Sequence, residues 1–258
     1  MAKTGKEFEK LTAIMAALRE RCPWDREQTP RTLKAYIIEE AYEVLEAIDE
    51  KDPVKVKEEL GDLLFQIVFQ AHIAGEKGQF EMADVLKSIS EKMVRRHPHV
   101  FGKLKLDTPE EVVDKWQEHK KKEGKLKESV LEGIPLNLPA LLRAQKVQKR
   151  AARVGFDWER VEDVVRKLEE EIKEFKKAVK RERVNKDEIE DEFGDVLFSL
   201  VNIARFAGVD PEEALRKTTA RFITRFRHIE KKAKEKGRKL EEMTLKEMDE
   251  LWEEAKRK

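Results

Sequence analysis

The chain has 258 residues, of which 42% are charged and 40% hydrophobic, and its formal net charge is +1. This composition is typical of a soluble protein built from amphipathic helices, and the near balance of charge argues against nucleic acid as a partner. A single cysteine, Cys22, excludes an internal disulfide, and no apolar stretch reaches the roughly 20 residues of a membrane span, so we expect a cytoplasmic protein without membrane contact.

The first half of the sequence predicts five helices, because apolar residues recur with the helical period between proline, glycine and capping residues. They are expected from about Lys6 to Arg21, from Thr29 to Ile48, from Asp52 to Ala74, from Glu81 to Arg96, and from Thr108 past Trp116. Thr29-Pro30 and Asp52-Pro53 each place a capping side chain before a proline at the first helical position.

The second half repeats the plan of the first. Four acidic residues recur in the same order, with two more residues between the pairs in the second half: Glu40, Glu43, Glu59 and Asp62 match Glu171, Glu174, Glu192 and Asp195. Such a match indicates an old duplication. We therefore predict an all-α fold of two tandem helical-bundle domains, residues 1–123 and 140–258, joined by a connector at 124–139.

Each acidic quartet consists of two pairs spaced three residues apart, which places each pair on one face of a helix. Two adjacent helices would bring four carboxylates together, and such a cluster repels itself unless a cation neutralises it. A solvated face or a network of salt bridges is the alternative. Against it, the sequence predicts that the apolar residues following Glu192 and Glu59 are buried, and Gly194 costs about 1 kcal/mol in a helix interior, which suggests close approach of a backbone or a ligand.

Ligands that are all carboxylates favour Mg²⁺, with Mn²⁺ as a substitute, and Mg²⁺ usually completes its coordination with water and phosphate oxygens. A phosphate ester is therefore the expected substrate. Lys217, Arg221 and Arg225 form a basic stripe on one helix that could neutralise a polyphosphate. Pairing with Glu213 and other neighbouring acids is the alternative explanation of this stripe. Trp252 either anchors its helix or stacks on a base. Asn202 could bind a ribose or phosphate, and Phe69 takes its place in the first half.

These motifs together resemble the MazG family of nucleoside triphosphate pyrophosphohydrolases. The resemblance is carried by Glu-Glu-x-x-Glu followed by Glu-x-x-Asp in both halves, by Cys22-Pro23-Trp24-Asp25, and by the segment 95–101, Arg-Arg-His-Pro-His-Val-Phe. It implies two tandem MazG-like domains, a homodimer, and Mg²⁺-dependent cleavage of NTP or dNTP to (d)NMP and diphosphate, which removes unwanted nucleotides.

The resemblance also implies roles for individual residues. Both quartets would be metal ligands, while Lys167, Arg221, Arg225 and Trp252 would hold the phosphates and the base. In proteins of this kind catalysis can be confined to the C-terminal domain, with the first domain structural or regulatory.

The candidate catalytic residues are Glu170, Glu171 and Glu192, because a carboxylate beside a bound cation can orient or deprotonate the attacking water. Two alternatives remain open from the sequence. One is a non-catalytic nucleotide-binding or helical interaction protein with relict metal sites, and the other is a scaffold in which the quartets are salt-bridge networks.

Overall fold

The computed structural model describes residues 2–108, 111–112, 115, 129–181 and 185–257. All regular elements within these ranges are helices, which confirms the all-α prediction. The chain divides into two compact units, Met1–Leu126 and Lys127–Lys258, and this division falls inside the predicted connector. Trp116 and residues 124–128 of that connector lie outside the described residues, and the exact domain bounds stay a prediction.

The first unit is built around the long helix that carries Glu59 and Asp62. Its helices are α1 Ala2–Arg21, α2 Pro23–Glu27, α3 Lys34–Glu50, α4 Pro53–Glu76, α5 Met82–Arg96 and α6 Pro98–Phe101. Helix α4 packs along α3 and also contacts α1 and α5. Their shared core contains Met15, Leu33, Val68, Phe69 and Ile73, all nearly inaccessible to solvent. The acidic faces of α3 and α4 are thus held side by side.

Helix α3 begins later than the sequence predicts. Thr29 and Pro30 lie in a turn, and the first helical residue is Lys34. The Thr29 and Thr32 hydroxyls accept hydrogen bonds from the backbone N–H of Thr32 (3.2 Å) and Thr29 (2.9 Å), respectively. These local bonds compete with helix initiation, because they satisfy backbone donors in a turn conformation. The start at Thr29 was therefore wrong by about one helical turn.

Helix α4 begins where the sequence predicts. The Asp52 carboxylate accepts hydrogen bonds from the backbone N–H of Val54 at 2.9 Å and of Lys55 at 3.4 Å. Pro53 occupies the first helical position, where its missing N–H costs nothing. Asp52-Pro53 therefore sets the first residue of α4, and with it the positions of Glu59 and Asp62 along the helix.

The second unit repeats the central pair of helices and has a smaller hydrophobic core of its own. Its helices are α7 Ala140–Ala152, α8 Val161–Lys180, α9 Lys186–Phe206, α10 Pro211–Glu235 and α11 Leu245–Lys256, with a 3₁₀ turn at Leu240–Glu242. Helix α8 packs along α9, and α7 packs against α9 and α10. Helices α10 and α11 enclose the other core, formed by Ile229, Ala233, Met243 and Leu251. The acidic pairs lie on α8 and α9.

Several apolar residues of the stretches that begin at Glu192 and Glu59 are exposed in the described chain, so the prediction of burial was wrong at these positions. Phe193 is 49% exposed and Phe198 46%, and in the first unit Leu60 is 50% exposed. A Cβ placed on Gly194 would meet nothing within 4 Å, so no described backbone demands the glycine. An apolar helix face beside each acidic cluster is left uncovered.

Within the described part of the chain, no helix is both long and apolar enough to cross a membrane.

Candidate active site

The acidic site of the second unit brings together carboxylates from α8 and α9. One oxygen from each of Glu171, Glu192 and Asp195 lies within 4.8 Å of the others. Glu171 is only 6% exposed, whereas Asp195 faces solvent. Glu174, one turn further along α8, lies outside this set but close enough to raise the pKa of Glu192. The predicted quartet thus consists of a tight trio and a neighbouring fourth carboxylate.

The electrostatics of this site favour a cation. The pKa of Glu192 is raised above its ordinary value, first because packing removes water from the carboxylate and then because Glu174, Glu171 and Asp195 repel its negative charge. Repulsion of this kind makes the ionised cluster costly by itself. A positive charge placed between the oxygens would remove that cost.

Part of the needed charge comes from a lysine on α8. The Lys167 Nζ lies 2.7 Å from Oε1 of Glu171 and 3.2 Å from Oε1 of Glu170. The hydrogen bond to Glu171 is the chief reason why the pKa of Lys167 is well above its ordinary value. Glu170 and Glu171, both predicted as catalytic, are therefore partners of one lysine.

The first unit holds a matching site, and no lysine among the residues described there pairs with its carboxylates. Oxygens of Glu40, Glu43 and Glu59 lie within 4.8 Å of one another. The pKa of Glu40 is raised by loss of water and then by repulsion from Glu43 and Asp62, so Asp62 adjoins the trio. The pKa of Glu59 is raised for the same reasons, with Glu43 as the leading charge.

A hard divalent cation fits both donor sets. Each set offers only carboxylate oxygens, which Mg²⁺ and Mn²⁺ prefer over softer ligands. Oxygens within 4.8 Å of one another can reach a single ion placed between them. Each site is partly open to solvent, which leaves coordination positions for water or for a phosphate.

The basic stripe lies on α10. Lys217 Nζ lies 2.9 Å from Glu213, which is the pairing that the alternative explanation predicts. The Arg221 guanidinium donates a hydrogen bond to the Thr218 hydroxyl at 2.8 Å. In the described residues, no hydrogen bond or ion pair joins Arg221 or Arg225 to the carboxylates of α8 and α9.

Trp252 anchors its helix. Its ring lies 5.1 Å from that of Phe222 and packs against the core between α10 and α11. The guanidinium of Arg225 lies over the Trp252 ring, 5.4 Å from its centroid, which is a cation–π contact. Arg225 and Trp252 are thus brought together, although neither lies among the acidic residues.

Asn202 belongs to a network that sequence reasoning missed. Its Oδ1 accepts hydrogen bonds from Arg205 Nε at 3.0 Å and Nη2 at 2.8 Å. Arg205 also donates from Nη1 to Asp157 Oδ2 at 2.9 Å and so ties α9 to the segment before α8. The spacing of three residues between Asn202 and Arg205 was the available signal. The equivalent Phe69 is buried in the first core.

Tandem helical units, each with paired carboxylates on two adjacent helices, define a class of all-α nucleotide hydrolases, and the comparison with known families agrees. Residues 28–101 and 159–230 each match the model described as MazG nucleotide pyrophosphohydrolase domain. The two matches contain the two quartets and confirm the tandem arrangement. This chain therefore belongs to the MazG family.

Relatives extend over nearly the whole chain. It is 49% identical to the nucleoside triphosphate pyrophosphohydrolase/pyrophosphatase MazG of Thermotoga maritima, covering 99% of this chain and 98% of that protein. It is 43% identical to the nucleoside triphosphate pyrophosphohydrolase of Escherichia coli K12, covering 97% of each. It is also 50% identical to the uncharacterized protein YabN of Bacillus subtilis, covering 97% of this chain and 52% of that protein.

Proposed function

We propose that this chain hydrolyses nucleoside triphosphates, NTP or dNTP, to the nucleoside monophosphate and diphosphate at the carboxylates of α8 and α9. Membership of the nucleotide pyrophosphohydrolase family and the names of two relatives of full length support the reaction class. The observation that carries the location is the cluster of Glu171, Glu192 and Asp195 within 4.8 Å.

The cation at this site is Mg²⁺, with Mn²⁺ as a substitute, and Glu171, Glu174, Glu192 and Asp195 would hold it. When bound, the cation would neutralise charge on the triphosphate and lower the pKa of the attacking water. The protein contributes the arrangement: buried Glu171 is fixed by packing on α8, whereas Glu192 and Asp195 are held one turn apart on α9.

Glu170 or Glu171 orients or deprotonates the attacking water, and Glu192 completes the catalytic set. Glu170 adjoins Glu171 in sequence but is exposed, and its carboxylate already contacts Lys167 at 3.2 Å. Binding of a phosphate by Lys167 would release Glu170 to accept a proton. In-line attack then expels diphosphate, with no covalent enzyme intermediate.

Positive side chains receive the phosphates. Lys167 lies beside the carboxylates, and Lys217, Arg221 and Arg225 provide charge along α10 for the leaving diphosphate. Trp252 offers part of its face to a base, since it is only half-buried. Asn202 contacts the sugar or a phosphate through its amide NH₂, because Arg205 occupies its oxygen.

The protein acts as a homodimer. Helix α9 exposes several large apolar side chains beside the acidic cluster, and a second copy would cover them: Phe193, Leu197, Phe198 and Leu200. Exposed apolar patches of this kind mark association surfaces. We expect Leu197→Glu to shift the mass measured by light scattering from dimer to monomer. Leu245→Glu on α11, where the leucine is 81% exposed, is the matched control and leaves the dimer intact.

Product analysis tests the reaction. The full-length protein is incubated with Mg²⁺ and a panel of NTPs and dNTPs, and the products are separated by anion-exchange chromatography. Monophosphate with diphosphate supports the proposal. Nucleoside diphosphate with orthophosphate would move cleavage to the β–γ bond, and binding without any product would favour a non-catalytic nucleotide-binding protein. With nucleotides as substrates and a nearly neutral charge, we place the protein in the cytoplasm and expect no nucleic-acid partner.

A further inference from the structure

We propose that the two acidic sites differ in how they take up a divalent cation: the first-unit site binds it without nucleotide, whereas the second-unit site binds it tightly only together with nucleotide. This inference rests on the proposed function, in which a divalent cation binds at the second-unit site, and on the fit of the same cation to both carboxylate sets. It goes further by assigning Lys167 a role in coupling metal binding to substrate binding.

The difference begins at one aligned position. Lys167 lies one turn before Glu171 on α8, and the aligned residue one turn before Glu40 on α3 is Tyr36. Lys167 Nζ lies 2.7 Å from the Glu171 carboxylate. Tyr36 instead packs against the first core, with its ring centroid 5.8 Å from that of Trp24 in an edge-to-face arrangement. A phenol has an ordinary pKa of about 10 and carries no charge at neutral pH.

Among the described residues of the first unit, no lysine or arginine takes the place of Lys167 at the carboxylates. Lys55, one turn before Glu59 on α4, pairs with Glu50 at 2.9 Å and exerts only a weak attraction on Glu59. Across the part of the chain that the structure describes, no ion pair joins a lysine or arginine to Glu40, Glu43, Glu59 or Asp62. The described residues thus place no lysine or arginine against the first cluster, whereas the second has Lys167 paired with Glu171 inside it.

A cation that enters the second site meets Lys167 already bound to its most buried ligand. The ion must either displace the ammonium group from Glu171 or accept its repulsion at a distance of several ångströms. Even with the permittivity of bulk water, a dication and a monocation about 5 Å apart repel strongly enough to weaken binding about tenfold or more. A triphosphate removes this obstacle, because its oxygens give Lys167 another partner.

The consequence is a division of labour between the units. The first site holds its cation as a resident ion that relieves the repulsion between α3 and α4. The second site binds free cations only weakly until a nucleotide arrives, so tight binding of the metal requires the substrate. Lys167 is a positioning residue in this sense: its ion pair keeps Glu171 and Glu170 in place while the site is empty.

Electron paramagnetic resonance of free Mn²⁺ tests the proposal on the full-length protein. Mn²⁺ is titrated without nucleotide, and then with an α,β-imido triphosphate analogue that cannot be cleaved between the α and β phosphorus atoms. Without nucleotide, we expect a single class of tight binding site that holds about one Mn²⁺ per chain. Glu59→Gln should remove this class, and the analogue should add a second class that persists in the Glu59→Gln protein.

Charge variants test the role of Lys167 directly. Lys167→Met should tighten nucleotide-free Mn²⁺ binding at the second site about tenfold or more, whereas Lys167→Arg, which keeps the charge, should not. Tyr36→Lys should weaken the first site by a similar factor, and Tyr36→Met controls for the loss of the ring. Circular dichroism checks that each variant is folded. If a Tyr36 variant fails to fold, the Lys167 pair still decides the question.

The inference would be overturned if the nucleotide-free wild type bound Mn²⁺ at both sites with equal affinity. It would also be overturned if Lys167→Met left the affinity for Mn²⁺ unchanged. Failure of the proposed function is a separate result, since it is measured by diphosphate release from the wild type with Mg²⁺. Cleavage of nucleotide with equivalent Mn²⁺ sites would refute only the coupling. Two distinct Mn²⁺ classes without any product would refute only the hydrolase.

Discussion

Replacing Glu171 by glutamine removes one negative charge from the second site while preserving side-chain shape. Glu171 is 6% exposed, so water cannot readily take the place of its carboxylate. At a Mg²⁺–oxygen distance of about 2.1 Å, a dication and one negative charge attract each other by about 4 kcal/mol even at the permittivity of bulk water. That energy corresponds to about a thousandfold in kcat/KM. The glutamine oxygen remains a weak ligand, so we expect a loss of at least about a hundredfold.

The assay measures diphosphate release with an NTP across a range of Mg²⁺ concentrations. Glu169→Gln is the matched control, because it makes the same change of charge on the same helix, but at an exposed position that is not part of the cluster. We expect Glu169→Gln to retain nearly all activity. Raising Mg²⁺ should recover part of the loss in Glu171→Gln, since the defect lies in holding the cation.

The reasoning would fail if Glu171→Gln kept more than about a tenth of the wild-type kcat/KM at every Mg²⁺ concentration. It would also fail if both variants lost activity equally, since the effect would then reflect the general charge of α8. A folded-state check by thermal denaturation separates either outcome from loss of structure.

Three further changes test the electrostatics and capping. Glu192→Gln should raise the melting temperature of the metal-free protein at pH 7. The pKa of Glu192 is raised in the folded protein, so its ionised form opposes folding. This loss of stability is absent below the ordinary carboxyl range and complete above the raised pKa. Glu247→Gln should lower the melting temperature at pH 7 but not near pH 2. Arg238 and Thr244 lower the pKa of Glu247 to about 2, so the ionised carboxylate stabilises the folded protein. That stability is lost as pH falls from the ordinary carboxyl range towards about 2. Asp52→Ala should reduce the free energy of unfolding by about 1 kcal/mol in chemical denaturation, through loss of the α4 N-cap.

Much of the architecture could be predicted from the sequence, because local chemistry decides it. Asp52 caps α4 one residue before a proline, as the sequence predicts, and Asp210 caps α10 in the same way. A spacing of three residues places each acidic pair on one helix face regardless of tertiary context, and the packing of α8 along α9 brings the pairs together. The duplication added a second, independent instance of the same pattern.

The remaining features depend on contacts between residues that are distant in sequence, or on local hydrogen bonds that compete with helix formation. Hydroxyl hydrogen bonds between Thr29 and Thr32 delay α3, and propensity alone could not rank them against helix initiation. Asn202 is engaged by Arg205, which Asp157 holds from outside α9. Hydrophobicity predicts that Phe193 is buried somewhere, but it cannot say whether its own chain or another copy covers it.

The uncovered apolar faces and the acidic clusters occupy the same helices, and this proximity has a physical consequence. Phe193 directly follows Glu192, and Phe175 directly follows Glu174, with their rings 5.7 Å apart. A second copy placed over this face would exclude water from the carboxylates, which raises the cost of their unpaired charge and strengthens every interaction with a cation. Association and metal binding should therefore favour one another. The Leu197→Glu monomer is expected to bind Mn²⁺ with nucleotide more weakly than the dimer, whereas unchanged binding would show that the two surfaces act independently.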